Sequence, residues 1–425
     1  MVSSDLKVQR PSGGDWASVV HPVAGIFGAN ASGKSTVLDA IGYAQAAVRL
    51  SASAWLERKR FPRVPFRLDD THPSAASTYV FDFVLDGVRH EYGFSVSPEG
   101  VETEWLIDYP TGRRRLLFDR ATKREEPFEF GRALKRPGTV AAAVSPRELL
   151  LSRAAVLKHH QLAPVAAAIT DGIDVALFGE PYQQHRIQGI VDTLVEGRTS
   201  FDDIVTLLSV ADIGIERVAI REEEVPPAYR RLIAALNAAA DPGSGDAELG
   251  DGDLLTSSER EEVLHRLEFF HQGQGESRQG FSLSDESTGT ISWLSLALPA
   301  IEALRHGTVL VVDEIDASLH PQLSSVLLGM FLDRELNVRG AQLIFTSHDT
   351  YLLSPQAPSP LEAEQVWFTQ KAADGSVELF SLAEFSARRT DNVARRYLAG
   401  RFGAVPRTAP SLLRGLLTDA RGAGV

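Results

Sequence analysis

A short apolar run, Val23 to Phe27, passes straight into a glycine-containing stretch, Gly28 to Gly33, and then into helical spacing from Lys34. That succession predicts a buried strand, a tight loop and a helix. Farther on, Tyr79, Phe81, Phe83 and Leu85 recur at every second position, Asp86 and Gly87 intervene, and Val88, His90, Tyr92 and Phe94 resume the alternation. A period of two on either side of Asp-Gly predicts a β-hairpin closed by a type I′ turn. Val101 to Ile107 and Arg115 to Phe118 read as further strands, so an antiparallel layer is expected over about residues 75–120.

The period changes between about residues 145 and 235, where Ala, Leu and Val take helical spacing in SRAAVLKHHQLAPVAAAI and IVDTLVEGRTSFDDIVTLLSVA. Asp241 to Asp253 is rich in Gly, Asp and Ser and reads as an acidic flexible loop. LHRLEFFH, from Leu264, then predicts a strand that returns the chain to the sheet. The expected organisation is a first lobe over residues 1–145, a helical insertion over 146–258 and a second lobe over 259–425. No heptad pattern is sustained, so no long coiled-coil arm is expected.

GANASGKS, Gly28 to Ser35, fits GxxxxGK[ST], with a strand before it and a helix after it. In such a loop the backbone of Gly28, Ala29, Asn30, Ala31, Ser32 and Gly33 wraps closely enough for successive N–H groups to face phosphate oxygens. The helix N-terminus through Lys34, Ser35 and Thr36 adds its positive end. Lys34 is expected on the β- and γ-phosphates and Ser35 on Mg²⁺. A second run, Val309 to Val312, ends in consecutive carboxylates; Asp313 is placed to hold Mg²⁺ and Glu314 to act as general base toward water. A third apolar run ends in TSHD, Thr346 to Asp349, where His348 is expected to reach the γ-phosphate and the attacking water. Between these, LSDEST leads into an amphipathic helix. Ser287 and Gly289 there fit either an anion site at a helix N-terminus or an ordinary N-cap.

Composition narrows the chemistry. The 425 residues are 44% hydrophobic, enough to bury sizeable cores, and carry no cysteine, which excludes thiol catalysis, disulfides and cysteine-ligated metals. A formal net charge of −13 argues against general coating of nucleic acid, although Arg58, Lys59, Arg60, Arg63 and Arg67 and the run Arg113 to Arg115 leave local nucleic-acid binding open. No apolar run approaches the roughly 20 residues of a membrane helix and the N-terminus lacks a signal-peptide core, so a cytoplasmic location and no membrane partner are expected.

With these residues the chain resembles the ABC-type ATPase heads of the structural-maintenance-of-chromosomes and RecF class, and within it the AAA15-type prokaryotic ATPases of antiphage defence. GANASGKS, DEIDASLHP (Asp313 to Pro321) and TSHD carry the resemblance, with ADIGI (Ala211 to Ile215) and YLAGRFGAVP (Tyr397 to Pro406) as weaker marks. It implies an α/β fold, a P-loop NTPase of ABC-head type with two lobes, an antiparallel β layer and a helical insertion. STGT at Ser287 to Thr290 is similar to a divergent form of the transporter signature, which implies that Ser287 and Gly289 contact ATP held by a second copy. The implied protein is a Mg²⁺-dependent ATP hydrolase that forms a homodimer or higher oligomer through composite ATP sites and controls a separately encoded nuclease or other effector. A RecF-like DNA-repair or chromosome-maintenance ATPase is the alternative; a transporter subunit fits poorly because of the long span from Gly28 to Ser287. His320 stands where transporter heads carry Asp, no glutamine can be assigned to the Q-loop, and the chain beyond His348 is too short for a fused Toprim nuclease domain.

Overall fold

The structure, a computed structural model, describes residues 16–405 except 59, 71, 178, 212–213, 225–262, 274–278 and 386–391. The acidic stretch at 241–253 and Lys59 lie outside the described residues. The chain divides into two compact units, one of residues 1–178 with 299–425 and one of 179–298.

In the first unit six strands, β1 (Val23–Phe27), β7 (Ile173–Ala176), β11 (Val309–Val312), β12 (Gln342–Ser347), β13 (Val366–Lys371) and β14 (Val377–Ser381), form a sheet in the order β14-β13-β1-β12-β11-β7. Every pairing is parallel except β13 with β14. Parallel strands covered on both faces read as continuous apolar runs, and Leu310, Val311, Val312, Ile26, Phe27, Leu343 and Phe345 are all at most 1% exposed. Helix α1 (Lys34–Leu50) follows β1 and buries Leu38, Ala44, Ala47 and Val48.

The antiparallel layer comprises β2 (Ser77–Leu85), β3 (Val88–Ser97), β4 (Gly100–Asp108), β5 (Arg115–Ala121) and β6 (Phe128–Phe130), paired in sequence order. Asp86 and Gly87 both take positive φ, 50° and 73°, as a type I′ turn requires, and Leu85 pairs with Val88. Helix α2 (Pro137–Ala141) precedes α3 (Leu150–Val156) and α4 (Leu162–Thr170), which cover the layer. Tyr92, Phe94, Leu106 and Phe118 pack there with Leu149, Leu150, Leu151, Leu162 and Val165 in one core. Glu104 is fully buried in this core. Its two oxygens accept from the backbone N–H groups of Leu150 and Leu151 at 2.6 and 2.9 Å, from Tyr92 Oη at 3.0 Å and from Arg120 at 3.5 Å. The carboxylate thus caps α3, which has no side-chain cap of its own.

The second unit holds α5 (Glu180–Val195), α6 (Phe201–Val210), β8 (Ile215–Glu224), β9 (Val263–His271) and β10 (Phe281–Ser282). A capping box between Ser200 and Asp203 starts α6, and Trp293, 1% exposed, donates from Nε1 to Leu207 O at 2.7 Å. Two features depart from the sequence reading. The strand at Leu264–His271 does not rejoin the main sheet but pairs antiparallel with β8 and β10 in a separate three-stranded sheet. The stretch read as helical also contains two strands, β7 and β8; the four residues of β7, IDVA, are broken by Asp174 and so form no continuous apolar run that would register in the sequence. Helix α7 (Thr288–His306) runs from the second unit's sequence into the first's, and α8 (Pro321–Leu332) and α9 (Val393–Leu398) follow. Among the described residues no helix is long and apolar enough to cross a membrane.

Candidate nucleotide-binding site

The strand order explains how distant sequences meet. β1 lies between β12 and β13, with Phe27 in register with Ser347 and with Phe368, so the loop leaving β1 opens beside the C-terminal ends of both neighbours. Ligands of open α/β sheets sit at such carboxyl ends. Gly28 is required by closeness: a Cβ there would overlap Thr369 Oγ1 and Ser32 Oγ. Gly33 has φ 100°, where an L side chain is strained, and a Cβ would lie 2.6 Å from the Val377 methyls. Ser32 and Thr369 hydroxyls share a 2.6 Å hydrogen bond that pins the loop to β13.

Lys34, the first residue of α1, is buried, and its Nζ donates to Gly28 O at 3.1 Å and Ala29 O at 3.2 Å, drawing the ammonium into the loop's mouth. Burial holds its pKa below the usual lysine range, while the charges of Glu314, Asp313 and Asp316 oppose that shift. Ser35 Oγ donates to Asp313 Oδ1 at 3.1 Å. Asp313 stands directly after β11, and Thr346 on the intervening β12 ties the two strands: its hydroxyl donates to Asp313 Oδ1 at 2.6 Å and accepts from Glu314 N at 2.7 Å. Glu314 takes φ 52°, a left-handed conformation costly for a non-glycine residue, which turns the chain sharply after the strand. His348 Nε2 lies 4.0 Å from Glu314 Oε1, and both side chains are about one-third exposed. The His348 N–H donates to Asp316 Oδ1 at 3.2 Å, fixing the backbone that carries the imidazole. Burial and then the charge of Asp313 raise the pKa of Asp39 one turn along α1.

A cavity of about 1050 Å³ opens here, lined by Asn30, Ala31, Gly33, Lys34, Ser35, Thr36, Glu314 and His348 together with Phe66, Leu68, Lys371, Gly375 and Val377. Ser35 Oγ and Asp313 Oδ1 are hard oxygen donors within hydrogen-bond distance of each other, a set that suits Mg²⁺, which takes one or two carboxylates and fills its octahedron with waters and phosphate oxygens. Ser287 and Gly289 do not line the cavity. Ser287 is an N-cap in the ordinary sense: its Oγ accepts from Thr290 N at 3.1 Å at the start of α7. His320 likewise caps α8, with Nδ1 accepting from Gln322 N. Sequence reasoning passed over Thr346, Thr369, Phe66, Leu68 and the Lys371–Val377 segment. Of these, Thr346 stood within TSHD, and Phe66 and Leu68 stood on either side of Arg67.

A family model described as "AAA domain, putative AbiEii toxin, Type IV TA system" matches residues 23–354, which spans every strand of the six-stranded sheet except β13 and β14. The chain belongs to this family. It is thereby an ATPase of the AAA-domain kind. No curated protein matches. Among solved structures, one described as "Crystal structure of the SmcHead bound to the C-winged helix domain of ScpA" is similar at 16% identity over 85% of this chain and 90% of that one, with a TM-score of 0.37. Of the basic clusters, Arg58, Arg60, Arg67, Arg113, Arg114 and Arg115 are exposed and Arg63 is half-buried; Arg115 is also paired with Asp108.

Proposed function

We propose that this chain is a Mg²⁺-dependent ATP hydrolase, converting ATP and water to ADP and phosphate, and that nucleotide-driven association of its copies controls a separately encoded effector. The observation that carries the reading is the junction of Ser35, Asp313 and Thr346, which joins the P-loop helix to the end of β11 and leaves Glu314 and His348 at the rim of the same cavity. Lys34 and the loop amides would hold the β- and γ-phosphates, and Ser35 and Asp313 would hold the metal. Mg²⁺, when bound, supplies positive charge that offsets the phosphate oxygens during transfer. Glu314, one-third exposed and aimed by its unusual backbone, is the group available to accept the proton of the attacking water, and His348 is the group available to steady that water.

The second copy enters through Ser287 and Gly289. They stand at a helix N-terminus whose amides suit an anion, which supports a role on the ATP of a partner in a homodimer or higher oligomer. The family's description, which names a putative AbiEii toxin of a type IV toxin–antitoxin system, supports a place in a defence-associated system; a separately encoded nuclease is the effector proposed for it. A second reading, a RecF-like DNA-repair ATPase, draws on the exposed Arg113 and Arg114 at the turn between β4 and β5.

Glu314→Gln tests the first reading. Glutamine keeps size and hydrogen bonding but cannot take the water's proton, so turnover should fall on the order of 10²–10⁴-fold with ATP affinity retained. Light scattering on a sizing column should then show an ATP- and Mg²⁺-dependent increase in mass. Normal turnover in this variant would remove Glu314 as the base, and lost turnover without association would remove closure as the working stroke.

A further inference from the structure

The cavity is larger than a phosphate cradle, and its outer part has a different chemistry. Val377 packs where a Cβ on Gly33 would sit, so an apolar wall begins at the phosphate loop itself. It continues through the turn between β13 and β14, which is closed by hydrogen bonds from Ala372 N to Ser376 O and from Gly375 N to Ala372 O. Gly375, at φ 85°, touches Leu68 so closely that a Cβ would overlap Leu68 Cδ1. Leu68 is nonetheless 61% exposed, a large aliphatic side chain held open at the mouth of a polar cavity. Phe66 stands next to it, half-buried, its ring edge-on to His72 at 5.4 Å. Lys371, exposed, is the charged side chain that lines this end.

The geometry points to Phe66, Leu68 and the Lys371–Val377 turn as the seat of the nucleoside, reading the face of the base rather than its edge. This rests on the cavity being a nucleoside triphosphate site. A base offers two apolar faces and a polar edge; Phe66, Leu68 and Val377 line this end of the cavity with Lys371, while the turn's carboxylate, Asp374, is engaged by Ser376 N and Oγ at 2.9 and 2.6 Å, so the seat meets the faces and leaves the edge to water. Such contact is tolerant of base identity, because every base has a π-face. Lys371 is then at hand for the phosphate nearest the ribose. The consequence is a substrate class broader than ATP: GTP is bound by the same seat with similar strength.

Calorimetric titration of the full chain with ATP, GTP and inorganic triphosphate, each with Mg²⁺, separates the two ends of the cavity. The wild type should bind ATP and GTP within about fivefold of each other, and Leu68→Ala combined with Phe66→Ala should weaken both about tenfold while leaving inorganic triphosphate within about twofold. Leu68→Met, which keeps an apolar face, should retain the wild-type affinities. Equal weakening of inorganic triphosphate, no weakening of ATP, or a preference of more than about a hundredfold for ATP over GTP would each overturn the seat. If inorganic triphosphate binds in a Lys34-dependent way, such a result leaves the phosphate site standing; if Lys34→Ala changes none of the three ligands, the nucleotide-site reading fails and the seat falls with it.

Discussion

Asp313 and Glu104 are both carboxylates next to a helix N-terminus and a cation, yet the fold treats them in opposite ways. Glu104 is 0% exposed, and backbone amides, a tyrosine hydroxyl and a guanidinium surround both its oxygens. Burial pushes its pKa above the usual glutamate range against the pull of Arg120 and the amides of α3. Asp313 accepts two hydroxyl hydrogen bonds on one oxygen, Oδ1, from Ser35 and Thr346, and its neighbour Ser35 lines an open cavity together with Glu314 and His348. A closed polar network fixes one element against another; an open one at the carboxyl ends of parallel strands is arranged for a ligand that completes it.

That contrast predicts separable losses. The largest is at Lys34: Lys34→Ala should lower phosphate release on the order of 10³-fold or more, because the ammonium proposed to face the phosphates is gone, with the unfolding midpoint in urea little changed. A variant that turned over normally would show that the open end is not the reacting site. Next comes Glu104→Ala, which should cost about 3 kcal/mol of stability in urea titration, since it orphans two amides of α3 and leaves buried Arg120, whose Nε has no partner among the described residues, without its counter-charge. Nucleotide affinity measured well below the transition should be unchanged. Loss of affinity without loss of stability would erase the distinction between the two carboxylates. The smallest effect belongs to Thr346→Val, which removes the hydroxyl that orients Asp313 while keeping the shape. About a tenfold rise in the Mg²⁺ concentration needed for half-maximal turnover is expected. An unchanged metal requirement would mean that Ser35 alone sets the position of Asp313.

The separation also explains what could be read in advance. GANASGKS announced its loop because its pattern is set by adjacent residues between a strand and a helix, and DEID and TSHD followed uninterrupted apolar runs that register as strands. The hairpin at Asp86-Gly87 was legible because its turn type demands positive φ at both central positions, and 50° and 73° are found. The cap that Glu104 gives α3 could not be read, since it joins residues 46 and 47 positions apart and no local pattern marks it. Thr369 and Val377, more than 330 positions from the loop they pack against, left no local trace for the same reason. Ser287 illustrates a third situation: its hydroxyl is occupied as an N-cap, so local geometry alone serves both the ordinary capping role and the proposed one in trans.

The sequence by itself determined the glycine-containing loop between β1 and α1, the two carboxylates after a buried strand, the histidine after another and the antiparallel layer, because each depends on neighbours within one strand, turn or helix. Only the tertiary structure decided that β12 stands between β1 and β11, so that Thr346 bridges to Asp313, that β9 builds a separate sheet, and that Phe66, Leu68 and the Lys371–Val377 turn wall the outer cavity. Parallel strand order is set by crossover connections that bury apolar faces over long loops, and that choice is a property of the packed whole, carried by no window of the chain.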